Sequence, residues 1–273
     1  MIPSDPMTRN TDQDWIELGE HDPYFGVLTA DDYRGEQLPA ETLERFFATG
    51  RRHVDKLWRL LDQRMALDPR PGRALDFGCG VGRVTFALAE RCGKVVGADV
   101  SPAMLQRARD HAARLEVPNV TFARSDDSLV GIDGRFDLVH SYIVFQHIPP
   151  ARGLPIVSQL LGRLNPGGLA ALHFTHSWSA SAVRRGINWL QKNVPLVHGM
   201  ANAVRQRPIK SPMVAMYHYP VGDLLNVFAA AGCEVLTKEP TDHGGHLGSM
   251  LLLSRTGDGH VSPTEGTYLT TEA

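Results

Sequence analysis

Ala74-Leu75-Asp76-Phe77-Gly78-Cys79-Gly80-Val81-Gly82-Arg83 decides how this chain reads. Apolar and small residues lead into Asp76, as they would in a buried parallel strand. Glycines then alternate, and Val84-Thr85-Phe86-Ala87-Leu88-Ala89 reads as the start of a helix. Strand, glycine turn and helix together let a ligand approach backbone N–H groups at a helix N-terminus. A second acid, Asp99, ends the next apolar run, Val95-Val96-Gly97-Ala98, at a spacing suited to a ribose diol. Asp76 stands at the mouth of the turn, where it repels a pyrophosphate and attracts an ammonium or sulfonium. The ligand implied is a nucleoside bearing positive charge.

A dinucleotide fingerprint needs G-x-G-x-x-G, and its third glycine would fall at Arg83. The D-x-G-x-G-x-G pattern instead resembles the first motif of class I S-adenosylmethionine-dependent methyltransferases. The resemblance continues in order along the chain. Asp99 followed by Val100-Ser101-Pro102-Ala103-Met104-Leu105 resembles the family's acid, loop and helix. Val120-Thr121-Phe122-Ala123-Arg124-Ser125-Asp126-Asp127 resembles its third strand and adenine-contacting acid. Arg135-Phe136-Asp137-Leu138-Val139-His140-Ser141 resembles the fourth strand, and Leu164-Asn165-Pro166-Gly167-Gly168-Leu169 the turn before the fifth.

What the resemblance implies is an α/β, Rossmann-like sheet of seven strands in the order 3-2-1-4-5-7-6. The last strand is antiparallel, helices cover both faces, and a cap is inserted. The implied cofactor is S-adenosyl-L-methionine. Gly78, Cys79, Gly80 and Gly82 would admit its methionine portion, Asp76 would add a favourable charge, and Asp99 would accept the ribose hydroxyls. Asp126 would take the adenine amino group with Asp127 beside it; which of the two acids does so stays open. Val100 and Met104 would neighbour the adenine, and Ser141 would also belong to the cofactor site. Ser101, before Pro102 at a first helical position, is the better helix cap and leaves Asp99 for the ribose.

At 273 residues the chain suits one elaborated domain. A net charge of −2 gives no reason to expect nucleic acid. Cys79, Cys92 and Cys233 are too few and too scattered for disulfides or a zinc site. Cys79 reads as a small residue filling tight space more readily than as a reactive thiol. No run approaches membrane-spanning length and residues 1–10 lack an apolar leader, so a cytoplasmic protein is expected.

Residues 1–70 read as a helical and lid segment, 71–256 as the main domain, and 257–273 as a disordered tail. Trp15, Tyr24, Phe25 and Tyr33 belong to a segment that is either a lid over the cleft or part of the core. Residues 40–67 read as helix with a break near Gly50. Strands are expected at Arg73–Phe77, Lys94–Asp99, Val120–Arg124, Phe136–Tyr142, Leu169–Phe174, Cys233–Lys238 and Ser249–Ser254, with helices at Ala103–Leu115 and Gly222–Ala231. The insertion at about 176–220 carries Arg184, Arg185, Lys192, Arg205, Arg207 and Lys210 without one acid, whereas the first 50 residues hold eleven acids and three bases. Either the two regions face each other, or the insertion is a basic cap for an anionic acceptor, with Ile187-Asn188-Trp189-Leu190 giving it an apolar part.

Methyl transfer is an in-line displacement, and a hydroxyl nucleophile also needs its proton removed. Candidate bases are His147 after the fourth strand, His176 after the fifth, and His243 and His246 in the hairpin loop Thr241-Asp242-His243-Gly244-Gly245-His246. There Asp242 could orient a histidine. Tyr217, His218 and Tyr219 are candidates for an acceptor pocket or for packing. No N/D-P-P-Y tetrapeptide follows the fourth strand, where Ser141-Tyr142-Ile143-Val144 stands, which argues against amide or adenine N-methylation. The expectation is methylation of a small organic acceptor, anionic or with an apolar part, with oxygen favoured over nitrogen or carbon. A non-catalytic cofactor-binding protein is the alternative. Oligomeric state cannot be read.

Overall fold

The structure is a computed structural model that describes residues 11–64, 71–179 and 215–256. Its centre is a seven-stranded sheet. The strands are β1 (Arg73–Phe77), β2 (Lys94–Asp99), β3 (Val120–Arg124), β4 (Phe136–Ser141), β5 (Leu164–Trp178), β6 (Cys233–His243) and β7 (His246–Arg255). Their order is β3-β2-β1-β4-β5-β7-β6, as expected from the sequence. β1 pairs in parallel with β2 and β4, while β7 runs antiparallel between β5 and β6. The order reverses between β1 and β2 on one side and β4 on the other, and it is at such a switch point that open α/β sheets bind ligands.

Alternation along β1 sends Ala74 and Leu75 to opposite faces. Leu75 and Phe77 pack with α6 (Pro150–Gly162) and α7 (Val221–Ala230) through Ile156, Leu160, Leu224 and Phe228. On the other face, Ala74, Leu138 and Ala171 meet α3 (Ala40–Arg64) and α4 (Thr85–Ala89) through Val54, Leu57, Leu61, Ala87 and Leu88. α5 (Pro102–Arg114) follows β2, and α1 (Asp12–His21) packs against it, leading into α2 (Pro23–Val27).

Helix α3 is continuous, and the expected break at Gly50 is absent. A Cβ at Gly50 would overlap the Arg83 carbonyl oxygen, so this glycine marks a close approach of helix to turn, not a helix end. Alanine in a helix interior ordinarily gains about 0.5–1 kcal/mol over glycine. Gly50→Ala is expected to do the opposite here and destabilise by about 1–3 kcal/mol, because backbone cannot yield as a side chain can. Urea melts measure this.

The edges also differ from expectation. β5 and β6 run on to Trp178 and His243, and the Asn165-Pro166-Gly167-Gly168 turn is a bulge inside β5, where Phe136 and Leu138 face Leu164 and Leu169. Gly244 and Gly245 (φ +67° and +90°) form the two-residue hairpin turn that needs positive φ at both positions. The insertion begins only after Ser179. Its six basic residues and Ile187–Leu190 lie outside the described residues, as do 1–10 and 257–273.

Candidate active site

A cleft opens at the carboxyl ends of β1, β2 and β4, and it encloses about 1010 Å3 with its mouth included. After β1 the chain bends back, with the N–H groups of Gly78 and Cys79 both donating to the Ala98 carbonyl at 2.7 and 3.0 Å. Gly78, Cys79 and Gly80 line the cleft. A Cβ at Gly78 (φ +76°) would overlap Val144, and one at Gly80 would lie 2.6 Å from Val27. Packing of neighbouring loops, as much as ligand access, demands glycine there. Gly82 does not line the cleft; it passes against the Phe86 ring.

Asp76 lines the cleft but is not a free charge at its mouth. It is 3% exposed, and its two oxygens meet His140 Nδ1 at 2.8 Å and the Thr85 hydroxyl at 2.6 Å. Asp99 accepts from the Gly80 N–H at 2.8 Å and the Ser101 N–H at 2.9 Å. Burial pushes its carboxyl upward in pKa, and those same backbone N–H groups pull it down. Ser101 caps α5 through the Met104 N–H, as its sequence context suggests. Val100 and Met104 face the cleft. Cys79 is buried, its thiol donating to the Gly80 carbonyl, and burial raises its pKa well above the ordinary value. It fills space and is no thiolate nucleophile.

At the far wall, Asp126 is exposed and accepts from the Ser128 N–H and hydroxyl, which hold its carboxyl below the usual range. Asp127 binds Arg152 at 2.6 and 2.8 Å, and Arg152 reaches on to Asp12 at 3.1 Å. Thr11 donates to the His147 carbonyl, and Trp15 leans on the His147 ring. Thr11, Asp12, Trp15, Gly26 and Val27 therefore cover the cleft, while Tyr24 is buried in the core. The aromatic segment is lid and core at once. Arg152→Ala is expected to release this cover and speed dissociation of a bound adenosyl ligand about tenfold, the loss of one charge-assisted contact. Stopped-flow measurement of off-rates checks it.

Of the four histidines singled out, only His147 lines the cleft. Its Nδ1–H donates to the Ala215 carbonyl at 2.9 Å, and its Nε2 accepts from the Gln146 amide at 3.0 Å. Burial pushes its pKa down to about 4. His176 is exposed beside Ser177 and away from the cleft, because β5 continues past it. His243 packs against His173 and Tyr142. His246 is stacked between Trp178 and His218. Asp242 fixes the hairpin turn through the Gly245 N–H. Tyr219 belongs to the core, its hydroxyl donating to the Ile148 carbonyl. The Ser141 hydroxyl donates to the Phe77 carbonyl inside the sheet, so Tyr142, Ile143 and Val144 line the cleft in its place. Among the described residues, no three His, Cys, Asp or Glu side chains gather as metal ligands would.

The methyltransferase domain family matches residues 74–168, which run from β1 into the bulge of β5. Residues 74–168 are thus similar to a class I methyltransferase domain, a kind whose cofactor is S-adenosylmethionine. An uncharacterized methyltransferase of Synechocystis sp. is 35% identical to this chain over 130 residues, 47% of this chain and 54% of that protein. A trans-aconitate 2-methyltransferase of Variovorax paradoxus is 30% identical over 174 residues, 61% and 63% of the two chains. The chain thus spans less than two thirds of the length of either relative. The structure of magnesium protoporphyrin IX methyltransferase from Synechocystis, solved with SAH, shares the fold at a TM-score of 0.60 and 18% identity, over 90% of this chain and all of that one. No helix among the described residues is long and apolar enough to cross a membrane.

Several cleft residues escaped the sequence. His140 lies opposite Asp76 in the β1–β4 register, and its Nε2 meets His53 Nε2 at 2.9 Å. His53 in turn stacks on Tyr142. Arg83, His140, Tyr142, Arg152 and Thr11 all line the cleft. Only the pairing register could have revealed His140, since an isolated histidine in a strand carries no pattern of its own.

Proposed function

We propose that this chain binds S-adenosylmethionine in the cleft and methylates an oxygen of a small organic acid. The observation that carries the cofactor half is Asp99. Its two oxygens accept from the Gly80 and Ser101 N–H groups and feel that of Val100 as well, an arrangement that aims the carboxylate and leaves acceptor capacity for a ribose hydroxyl. Val100 and Met104 offer an apolar wall to the adenine, and Asp126 or Asp127 an acceptor for its amino group. The Gly78–Gly80 backbone takes the methionine portion, near the negative charge of Asp76. When bound, the cofactor supplies an electrophilic methyl on a sulfonium sulfur.

The acceptor half rests on the histidines. The cleft holds two histidines, His147 and His140, and both ring nitrogens of each are engaged, those of His140 by Asp76 and His53. A ring with a pKa of about 4, that of His147, is a poor proton acceptor for a neutral hydroxyl. A carboxylate needs no base: its oxygen attacks the methyl carbon, the carbon–sulfur bond breaks, and the electron pair stays on sulfur. A relative named for trans-aconitate, a tricarboxylate, agrees with this reading.

Turnover is accordingly expected to stay flat between about pH 6 and 9, with no limb near the ordinary histidine pKa of about 6.5. A clear limb there would restore a histidine base. The direct test incubates the protein with labelled S-adenosylmethionine and host extract, then treats the product with mild alkali. Release of the label as methanol identifies an ester. A label stable to alkali would overturn carboxylate methylation in favour of nitrogen, carbon or an ether oxygen.

A further inference from the structure

Arg83 stands where a dinucleotide fingerprint would have its third glycine, and the structure gives it a setting no structural role explains. Its side chain lines the cleft, yet the residue is only 5% exposed. One guanidinium nitrogen donates to the Thr49 hydroxyl at 3.2 Å, while Nε is buried with no hydrogen-bond partner. No carboxylate among the described residues forms an ion pair with it. The acid whose charge reaches it, Asp76, has both oxygens committed to His140 and Thr85. A guanidinium keeps its proton under all ordinary conditions, and a buried charge without a partner is costly. Protein interiors hold such a group when a ligand completes it.

The residue is also firmly held. Its carbonyl abuts Gly50 and its guanidinium is aimed by Thr49, so adjacent residues of α3 position both its backbone and its charge. We infer that Arg83 is the carboxylate-binding residue of this cleft, its free N–H groups taking a ligand carboxylate in fork geometry. The inference rests on the proposed use of the cleft for S-adenosylmethionine and an acid acceptor. Both ligands carry carboxylates. Arg83 lines the same cleft as Asp76, whose negative charge suits an ammonium, and the two together suit an amino-acid head group.

Calorimetry on the full chain tests this with S-adenosylhomocysteine, its decarboxylated analogue and 5′-methylthioadenosine. The wild type is expected to prefer S-adenosylhomocysteine to the decarboxylated analogue by about 10- to 100-fold. Arg83→Met should abolish that preference and leave 5′-methylthioadenosine binding unchanged, which also reports an intact fold. Arg83→Lys, keeping charge but losing the fork, should fall between, and serves if the methionine variant fails to fold. If the preference survives in both variants, thermal melts with tricarballylate, with and without S-adenosylhomocysteine, locate the carboxylate on the acceptor. Stabilisation of the wild type and not of the variants then supports Arg83. The inference is overturned if neither the cofactor preference nor the tricarballylate effect depends on residue 83. Absence of any adenosyl-ligand binding by the wild type would instead sink the cofactor assignment, and the tricarballylate melts would still judge Arg83.

Discussion

Between pH 6.5 and about 4 the protein is expected to lose stability at about 3 kcal/mol per pH unit, from two buried histidines alone. Burial lowers the pKa of His147 to about 4 and that of His173 to about 3. The unfolded chain therefore binds these two protons near pH 6.5, while the folded protein refuses them until far lower pH. Their contribution is fully present above about pH 6.5 and falls away as pH drops toward the folded values. Each site is worth about 1.4 kcal/mol per pH unit over that window. His111, lowered to about 4 first by burial and then by Arg114, adds in the same direction, as does His53. Against a typical total of about 5–15 kcal/mol, unfolding is expected before pH 4. Calorimetric melts at pH 8, 7, 6 and 5 test this. His173→Gln should flatten the profile, and a melting temperature constant from pH 7.5 to 5 would refute the burial of neutral rings.

Asp99→Ala is expected to weaken S-adenosylhomocysteine binding by about 10- to 100-fold and to lower folding stability by about 1–3 kcal/mol. Two losses combine. The ribose hydroxyls lose their acceptor, and the N–H groups of Gly80 and Ser101 are left buried without partners. Asp99→Asn separates the two, since an amide oxygen can still accept one N–H but presents a donor on its other side. It should recover only part of the stability, because the amide NH2 faces the second N–H donor, and still lose most of the affinity. Calorimetry with S-adenosylhomocysteine and urea melts give both numbers. Unchanged affinity in Asp99→Ala would refute the ribose assignment whatever the stability does.

Much of the fold was legible because its signals are local. β1 through β4 begin and end within a residue of their expected bounds, since a buried parallel strand is a short apolar run closed by glycine, proline or an acid. β5, β6 and β7 were expected too short. Their outer halves alternate with polar residues at the sheet's antiparallel edge, and only pairing between strands extends them. Gly50 misled for a related reason. A glycine in a helix reads as a stop, whereas here it admits a carbonyl from the turn after β1.

The alternating glycines after Asp76, the acid ending β2 and the acids after β3 need only their own neighbours, so the sequence by itself determined the parallel strands, and the resemblance carried by those residues implied the sheet order and its switch point. Which side chains surround the reacting atoms was decided by tertiary structure. Strand register set His140 against Asp76, and the lengthening of β5 carried His176 out of the cleft. An ion pair from Arg152 to Asp12 and Asp127 drew the first helix over the opening. α3, some thirty residues upstream, left Arg83 buried and charged beneath it. Charge pairing and burial depend on partners distant in the chain, and a linear pattern carries no record of them.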